Sequence, residues 1–189
     1  VDGFRMDAIK HFVENGIAQE NTPATHAWLQ AFHTFYKSVN PEAFVVGETW
    51  TDTANVLDYT GDEVDIGFQF DVAEAFVRAA GGPLASSATE NLQLTLDSLP
   101  ENQYAVFLTH HDQNRVMSVL NDFQKAKLAA VMLLTSPGVP FIYYGEEIGM
   151  TGSKPDEDIR LPMQWTGEAG TVGFTTGTPW RAPAGQYPT

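Results

Sequence analysis

The sequence predicts an α/β fold in which helices cover a parallel sheet. Short, fully apolar runs alternate with segments whose apolar residues recur at helical spacing. Strands that are apolar on both faces are typical of a parallel sheet buried between other elements. The chain has enough apolar material for such a core, since 43% of its 189 residues are hydrophobic and 18% are charged.

The first part of the chain is predicted to form three strands and one long helix. Thr22 is a suitable N-cap for that helix, and Pro23 occupies its first position. The helix is expected to end at Asn40, before Pro41. The predicted strands of this part are residues 1–6, 43–46 and 66–70.

The second part is predicted to continue the alternation. Helices are expected at residues 72–80, 92–99 and 122–135, and strands at residues 104–108 and 139–144. Glycine or proline follows each of these helices, which favours a helix end there. Residues 150–189 are rich in Gly, Pro and Thr and are predicted to form a long loop.

Three carboxylates follow predicted strands at intervals that fit a (β/α)8 barrel. A barrel of this kind uses about 31 residues per β/α unit. From Asp7 to Glu48 there are 41 residues, from Glu48 to Asp112 there are 64, and from Asp112 to Tyr144 there are 32. These intervals correspond to one, two and one units. We therefore expect residues 1–149 to form five consecutive strands of a barrel, with the three carboxylates on its catalytic face.

Convergent carboxylates are suited to glycoside hydrolysis. One carboxylate must be ionised to attack the sugar, and another must be protonated to donate to the leaving oxygen. Arg5 lies two residues before Asp7 on the same side of the strand, where its positive charge would keep Asp7 ionised. The alternatives are that Asp7 only caps a helix, and that His110 and Asp112 are two ligands of an iron site.

Two further groups of residues leave their roles open. Acidic residues near the last predicted strand could form a solvated rim or contact a sugar or a cation: Glu146, Glu147, Asp156, Glu157 and Asp158. Aromatic residues of the long loop could stack on sugar rings or pack against the barrel: Trp165, Phe174 and Trp180.

The composition excludes several classes of function. The formal net charge is −14, which argues against binding to nucleic acid or to an anionic membrane surface. The chain has no cysteine, which excludes disulfides and thiolate chemistry, and no apolar run long enough to span a membrane. The location of the protein stays undetermined, although the acidity and the absence of cysteine slightly favour secretion.

Five segments of the sequence resemble the α-amylase family of glycoside hydrolases. GFRMDAIKH (residues 3–11) resembles the family's nucleophile-strand motif, VVGETW (45–50) its acid-strand motif, and FLTHHDQNR (107–115) its third-carboxylate motif. GVPFIYYGEE (138–147) resembles the last barrel strand, and RLPMQW (160–165) resembles a stretch of the oligosaccharide-acting members. The resemblance covers nearly the whole chain, and four motifs in order at barrel spacing are highly specific.

The resemblance implies a role for each residue of these motifs. Asp7 would be the nucleophile, Glu48 the general acid and base, and Asp112 the carboxylate that binds the hydroxyls of the reacting sugar. The implied substrate-binding residues are Arg5, Lys10, His11, Trp50, His111 and Arg115. No cofactor is implied as required, although the His11 carbonyl is a calcium ligand in some relatives. The family usually has Asn where this chain has His110, and there we expect tuning rather than loss of activity.

The resemblance implies a retaining hydrolase that cleaves α-glucosidic bonds in starch-derived oligosaccharides or α-glucans. A starch endo-amylase, a transglycosylase of the same family and an inactive truncated fragment are the alternatives. The first three barrel strands of the family, the domain inserted after the third and the C-terminal β-domain have no counterpart in the sequence. The resemblance thus implies that residues 1–149 are about strands 4 to 8 of a (β/α)8 barrel. We therefore expect the chain to be part of a longer protein, with residues 150–189 leading toward that β-domain, and to have no appreciable activity alone.

Overall fold

The computed structural model describes residues 1–83, 85–167 and 170–183. These residues form two compact units, each made of three segments. The first unit contains Val1–Val72, Ser87–Val106 and Ser136–Pro140. The second contains the described residues of Ala73–Ser86, Phe107–Thr135 and Phe141–Thr189.

A parallel sheet lies in the first unit. Within the described residues it has five strands: β1 (Gly3–Met6), β2 (Phe44–Gly47), β3 (Ile66–Phe68), β4 (Tyr104–Val106) and β5 (Val139–Pro140). Neighbouring strands in the sheet are also neighbours in the chain, and each pair is parallel. The predicted α/β fold with a parallel sheet is confirmed, and the strand order is that of consecutive β/α units of a barrel.

Helices occupy most of the connections between these strands. They are α1 (Pro23–Val39), α2 (Thr53–Leu57), α3 (Phe70–Gly81), α4 (Ser86–Ser98), α5 (Val116–Leu120), α6 (Phe123–Thr135) and α7 (Asp156–Ile159). The predicted start of α1 is confirmed, because the Thr22 hydroxyl accepts a hydrogen bond from the Thr25 N–H at 3.1 Å. Asn40 is the residue at which the helix ends, as predicted.

Some predicted strands are longer than the strands in the structure. Phe70 begins α3 instead of ending β3, and β5 stops at Pro140 instead of Tyr144. Beyond β5, the Tyr144 carbonyl accepts a hydrogen bond from the Arg115 side chain at 2.7 Å, where a strand would bond to a neighbouring strand. Gly145 then turns the chain with a positive φ of 85°. Residues 141–144 thus lead into a turn, and two of them, Ile142 and Tyr144, are exposed.

Buried side chains and backbone hydrogen bonds connect the ends of β1 and β2. A cluster of buried side chains lies between these strands and α1, and its members are Met6, Ile9, Leu29, Tyr36, Ala43, Val45, Tyr59 and Val64. The Glu48 N–H donates to the Met6 carbonyl at 2.9 Å, and the Ile9 N–H donates to the Glu48 carbonyl at 3.0 Å. The residues that follow the two strands are therefore fixed relative to each other. Among the described helices, none combines the length and apolar character needed to cross a membrane.

Candidate active site

An arginine joins two carboxylates at the ends of neighbouring strands. Asp7 follows β1 directly, and Glu48 follows β2 directly. The Arg5 guanidinium forms an ion pair with Asp7 Oδ1 through Nη1 and lies 3.2 Å from Glu48 Oε2 through Nη2. One planar cation with several N–H donors can hold two carboxylates in a fixed arrangement. The predicted grouping of Arg5 with Asp7 is confirmed, and the structure adds Glu48 to it.

The backbone after β1 also holds Glu48. Ala8 adopts a left-handed conformation with φ 44°, and its N–H donates to Glu48 Oε2 at 3.0 Å. The Glu48 side chain is only 8% exposed, whereas the Asp7 side chain is 75% exposed. Within the described part of the chain, the Arg5 and Ala8 contacts of the Glu48 side chain both fall on Oε2. The two carboxylates of this group therefore differ in environment.

The other predicted residues of the first unit lie near this group in the sequence. Lys10 pairs with Glu20 at 2.7 Å, and the His11 ring lies within hydrogen-bond distance of the Gln19 carbonyl. Trp50 is 47% exposed and stacks on Phe70 with a ring separation of 5.0 Å. One face of the Trp50 ring is thus used for packing. Roles of these residues in substrate binding stay predictions.

Asp112 lies in the second unit among basic side chains. Its Oδ1 is 2.5 Å from Arg160 Nη2, and its Oδ2 is 3.1 Å from His111 Nε2 and 3.6 Å from His110 Nδ1. Asp112 was predicted at a strand end, but β4 stops at Val106, and Asp112 belongs to the following loop. The prediction was wrong on this point because the apolar residues Phe107 and Leu108 are buried without being part of the strand.

Arg115 does not occupy the position that was predicted for it. It has no exposed surface, and its side chain donates to the carbonyls of Ile159 at 2.9 Å and Tyr144 at 2.7 Å. A side chain buried in this way cannot touch a ligand that arrives from solvent. The prediction of Arg115 as a substrate-binding residue is therefore corrected: it binds the backbone beneath the loop that carries Asp112.

Side chains that could bind a metal ion lie close together around Asp112. Among the described residues, one group of three side chains has ligand atoms close enough to hold an ion, namely His110, His111 and Asp112. The positive charge of Arg160 on Asp112 disfavours a cation there. The possible role of the His11 carbonyl as a calcium ligand stays a prediction.

Sequence reasoning missed two buried carboxylates. The sequence left Glu146 open between a solvated rim and a contact with a sugar or a cation. Its Oε1 instead accepts a hydrogen bond from the Thr109 hydroxyl at 2.5 Å, and burial raises the pKa of Glu146 to about 7. Glu63 is 1% exposed and lies 2.9 Å from His26 Nδ1. Burial raises the pKa of Glu63, and the hydrogen bond with His26 opposes this change. Neither residue has a local sequence signal, because burial of both depends on distant segments.

The aromatic residues of the long loop line a cavity of about 280 Å³ in the second unit. Trp165 is 68% exposed, Trp180 58% and Phe174 43%, and Tyr144 and Arg160 lie on the same cavity. The cavity leaves both sequence interpretations open, stacking on a sugar and packing.

The parallel strands in chain order, with carboxylates at their ends, define a protein of the (β/α)-barrel class. Within that class, the chain belongs to the α-amylase family: the model of the alpha-amylase catalytic domain matches residues 1–189. The resemblance stated from the motifs is confirmed.

Two relatives that match most of this chain are an α-amylase and a cyclomaltodextrinase. The chain is 37% identical over 171 residues to Alpha-amylase 3 of Dictyoglomus thermophilum, covering 88% of this chain and 33% of the relative. It is 34% identical over 174 residues to a cyclomaltodextrinase of Geobacillus thermopakistaniensis, covering 89% of this chain and 27% of the relative. The chain thus spans about a third of the length of these relatives.

Solved structures give the same family. The α-amylase of H. orenii matches with a TM-score of 0.77 and 35% identity, covering 90% of this chain and 35% of the other. Amy13B of Eubacterium rectale matches with a TM-score of 0.78 and 30% identity, covering 100% of this chain and 38% of the other. The fold of the described residues is thus that of part of an α-amylase catalytic domain.

Proposed function

We propose that the protein containing this chain is a retaining glycoside hydrolase that cleaves α-glucosidic bonds in α-glucans or starch-derived oligosaccharides. The observation that carries the proposal is the Arg5 guanidinium, which contacts both Asp7 and Glu48 at the ends of adjacent parallel strands. A retaining mechanism needs two carboxyl groups close together, roughly 5–5.5 Å apart. Two carboxylates that share one guanidinium are compatible with that requirement.

In the first step, an Asp7 carboxylate oxygen attacks the anomeric carbon of the sugar. The bond between this carbon and the glycosidic oxygen breaks, and Glu48 donates its proton to that oxygen. The products of the step are a β-linked glycosyl ester on Asp7 and the released part of the glucan. The exposed side chain of Asp7 suits the nucleophile, which must reach the substrate.

In the second step, Glu48 acts as a base. It removes a proton from water, and the water oxygen attacks the anomeric carbon and displaces Asp7. The product keeps the α configuration, and both carboxyl groups return to their starting states. The Ala8 and Arg5 contacts on Oε2 support this role, because they fix the orientation of the Glu48 side chain in both steps.

Asp112 and His111 are proposed to bind hydroxyls of the reacting sugar. The Asp112 carboxylate accepts hydrogen bonds, and its side chain is 29% exposed, while that of His111 is 41% exposed. Arg160 holds Oδ1 of Asp112 and so limits the orientation of the carboxylate. Residues 160–165 (RLPMQW) resemble a stretch of the oligosaccharide-acting family members. We therefore propose short oligosaccharides, and not internal bonds of starch, as the preferred substrates.

The proposal is tested with Asp7→Asn and Glu48→Gln in the complete protein. Each variant should lower kcat by at least about 10³-fold, or roughly 4 kcal/mol, on a maltooligosaccharide. Asp2→Asn and Glu14→Gln are matched controls because both side chains belong to exposed residues, and they should leave kcat unchanged. An Asp7→Asn enzyme that retains more than about a tenth of the activity would contradict the assignment.

The substrate class is tested separately by comparing maltooligosaccharides with soluble starch. Faster cleavage of short chains with release of small sugars supports the oligosaccharide assignment. A rapid fall in starch viscosity favours the endo-amylase alternative, and transfer products at high sugar concentration favour the transglycosylase.

A further inference from the structure

Arg115 is a charged side chain with no exposed surface in the second unit. Its backbone N–H donates to the Gly152 carbonyl at 2.9 Å. Its side chain donates from Nε to the Ile159 carbonyl at 2.9 Å and from Nη1 to the Tyr144 carbonyl at 2.7 Å. Because burial of a charge is costly unless specific contacts compensate for it, the side-chain bonds stabilise the buried guanidinium. Together with the backbone bond, they connect Arg115 to the segments that contain Tyr144, Gly152 and Ile159.

The rings of two tyrosines also lie beside this guanidinium. Its central carbon lies 4.4 Å from the centre of the Tyr143 ring and 4.6 Å from that of Tyr144, which is favourable for a cation beside aromatic rings. The Tyr143 hydroxyl also donates to the Ile159 carbonyl at 3.0 Å. The Ile159 carbonyl thus accepts two hydrogen bonds, one from Arg115 and one from Tyr143.

The Ile159 carbonyl belongs to the peptide group from which Arg160 begins. Because the peptide group is planar, fixing this carbonyl also fixes the direction in which the Arg160 backbone leaves it. Arg160 then donates from Nε to the His111 carbonyl at 2.9 Å and from Nη2 to Asp112 Oδ1 at 2.5 Å. Arg115 is therefore connected with the Asp112 carboxylate by a hydrogen bond to Ile159, by the peptide group between Ile159 and Arg160, and by the hydrogen bond from the Arg160 side chain.

Close packing at Gly152 limits other arrangements of this region. A Cβ atom at Gly152 would lie 3.0 Å from the Ile159 Cα and 3.2 Å from the Arg115 Cδ. These distances leave no room for a side chain between Arg115 and the segment that carries Arg160. The contact between the two is thus direct and closely packed.

We propose that Arg115 is a positioning residue that places Arg160 and, through Arg160, orients the Asp112 carboxylate toward the sugar. The inference rests on the proposed function for its effect on catalysis, since Asp112 is the group that would meet the substrate. Arg115 itself touches no substrate. Its effect on activity must therefore depend on the presence of Arg160.

A double-mutant cycle in the complete protein tests this dependence. Arg115→Lys keeps the charge but cannot reproduce the two directed bonds, and we expect kcat/KM to fall about tenfold, since small misplacements at a reacting centre are costly. In an Arg160→Ala background, the same substitution should change kcat/KM by less than about twofold. Arg78→Lys is a matched control, because Arg78 is an exposed arginine of the same unit, and it should have no effect.

Tyr143→Phe is the second variant, and it carries the test if Arg115→Lys does not fold. It keeps the ring beside Arg115 and removes only the hydroxyl that donates to Ile159. We expect a loss of several-fold in kcat/KM that disappears in the Arg160→Ala background. An equal loss with and without the Arg160 side chain would overturn the inference. No loss in the protein that keeps Arg160 would also overturn it.

A second readout separates this inference from the proposed function. Arg160 Nε–H donates to a carbonyl, so its hydrogen should exchange slowly with water and give a sharp NMR signal in the complete protein. Arg115→Lys should increase its exchange rate about tenfold, and Arg78→Lys should not change it. An unchanged exchange rate in Arg115→Lys would refute the positioning role. If the wild-type protein is inactive but Arg115→Lys shows the expected change in exchange rate, only the proposed glycoside hydrolase activity is refuted.

Discussion

Glu146→Gln tests the effect of burying a carboxyl group under the loop that carries Asp112. Burial raises the pKa of Glu146 from 4.5 to about 7, although the hydrogen bond from Thr109 opposes this change. The folded protein therefore binds the proton more tightly than the unfolded chain does. As a result, the free energy of unfolding should fall as the pH rises from about 4.5 to about 7. One pKa unit corresponds to about 1.4 kcal/mol, so a rise from 4.5 to about 7 corresponds to a full loss of roughly 3–4 kcal/mol.

Glutamine keeps the shape of Glu146 and can still accept the Thr109 hydrogen bond, but it does not ionise. The unfolding free energy of Glu146→Gln minus that of the wild type should therefore increase by about 2–3 kcal/mol between about pH 5 and about pH 8. Urea unfolding of the complete protein at several pH values measures this difference. Glu147→Gln is the matched control, because the neighbouring Glu147 is exposed. A difference that stays constant with pH would refute the reasoning.

Three further substitutions test the geometry around the carboxylates. Arg5→Lys should lower kcat on the order of 10²-fold, because a point charge cannot contact Asp7 and Glu48 together; normal kcat would contradict the bridging role. Gly47→Ala would place a Cβ 2.7 Å from Ile9 Cδ1 and should destabilise the protein by about 1–3 kcal/mol, seen as a lower thermal midpoint; an unchanged midpoint would contradict the close packing. His110→Asn should change kcat/KM by less than about tenfold, and a loss near 10³-fold would show that the imidazole is essential.

The first unit of the fold was the part most readily predicted from the sequence. Thr22 and Pro23 marked the start of α1 because a cap and a fixed φ act within a few residues. Asp7 and Glu48 were correctly placed because each directly follows a parallel strand, and the carboxyl ends of such strands meet at one edge of the sheet. The short helix α2 was not predicted, since five residues carry too little periodicity.

The second unit was less predictable because its key contacts join distant segments. Arg115 is followed by apolar residues and looks like part of a binding motif, but its partners, Tyr144 and Ile159, lie 29 and 44 residues away. Glu146 is one of five acidic residues in a short stretch, and only its contact with Thr109 distinguishes it from an exposed rim. A sequence pattern reports local structure and periodic burial, and it does not report such pairings.

The most direct test of the proposed mechanism is to trap the covalent intermediate on the complete protein. A fluorinated α-glucosyl fluoride slows the second step more than the first, so the glycosyl ester should accumulate and can be located by peptide mass spectrometry. We expect the sugar on Asp7, in the peptide that contains residues 3–11, and no label in Asp7→Asn. A label on Glu48 or Asp112, or NMR evidence that the first product has the inverted configuration, would contradict the assignment of Asp7 as the nucleophile of a retaining enzyme.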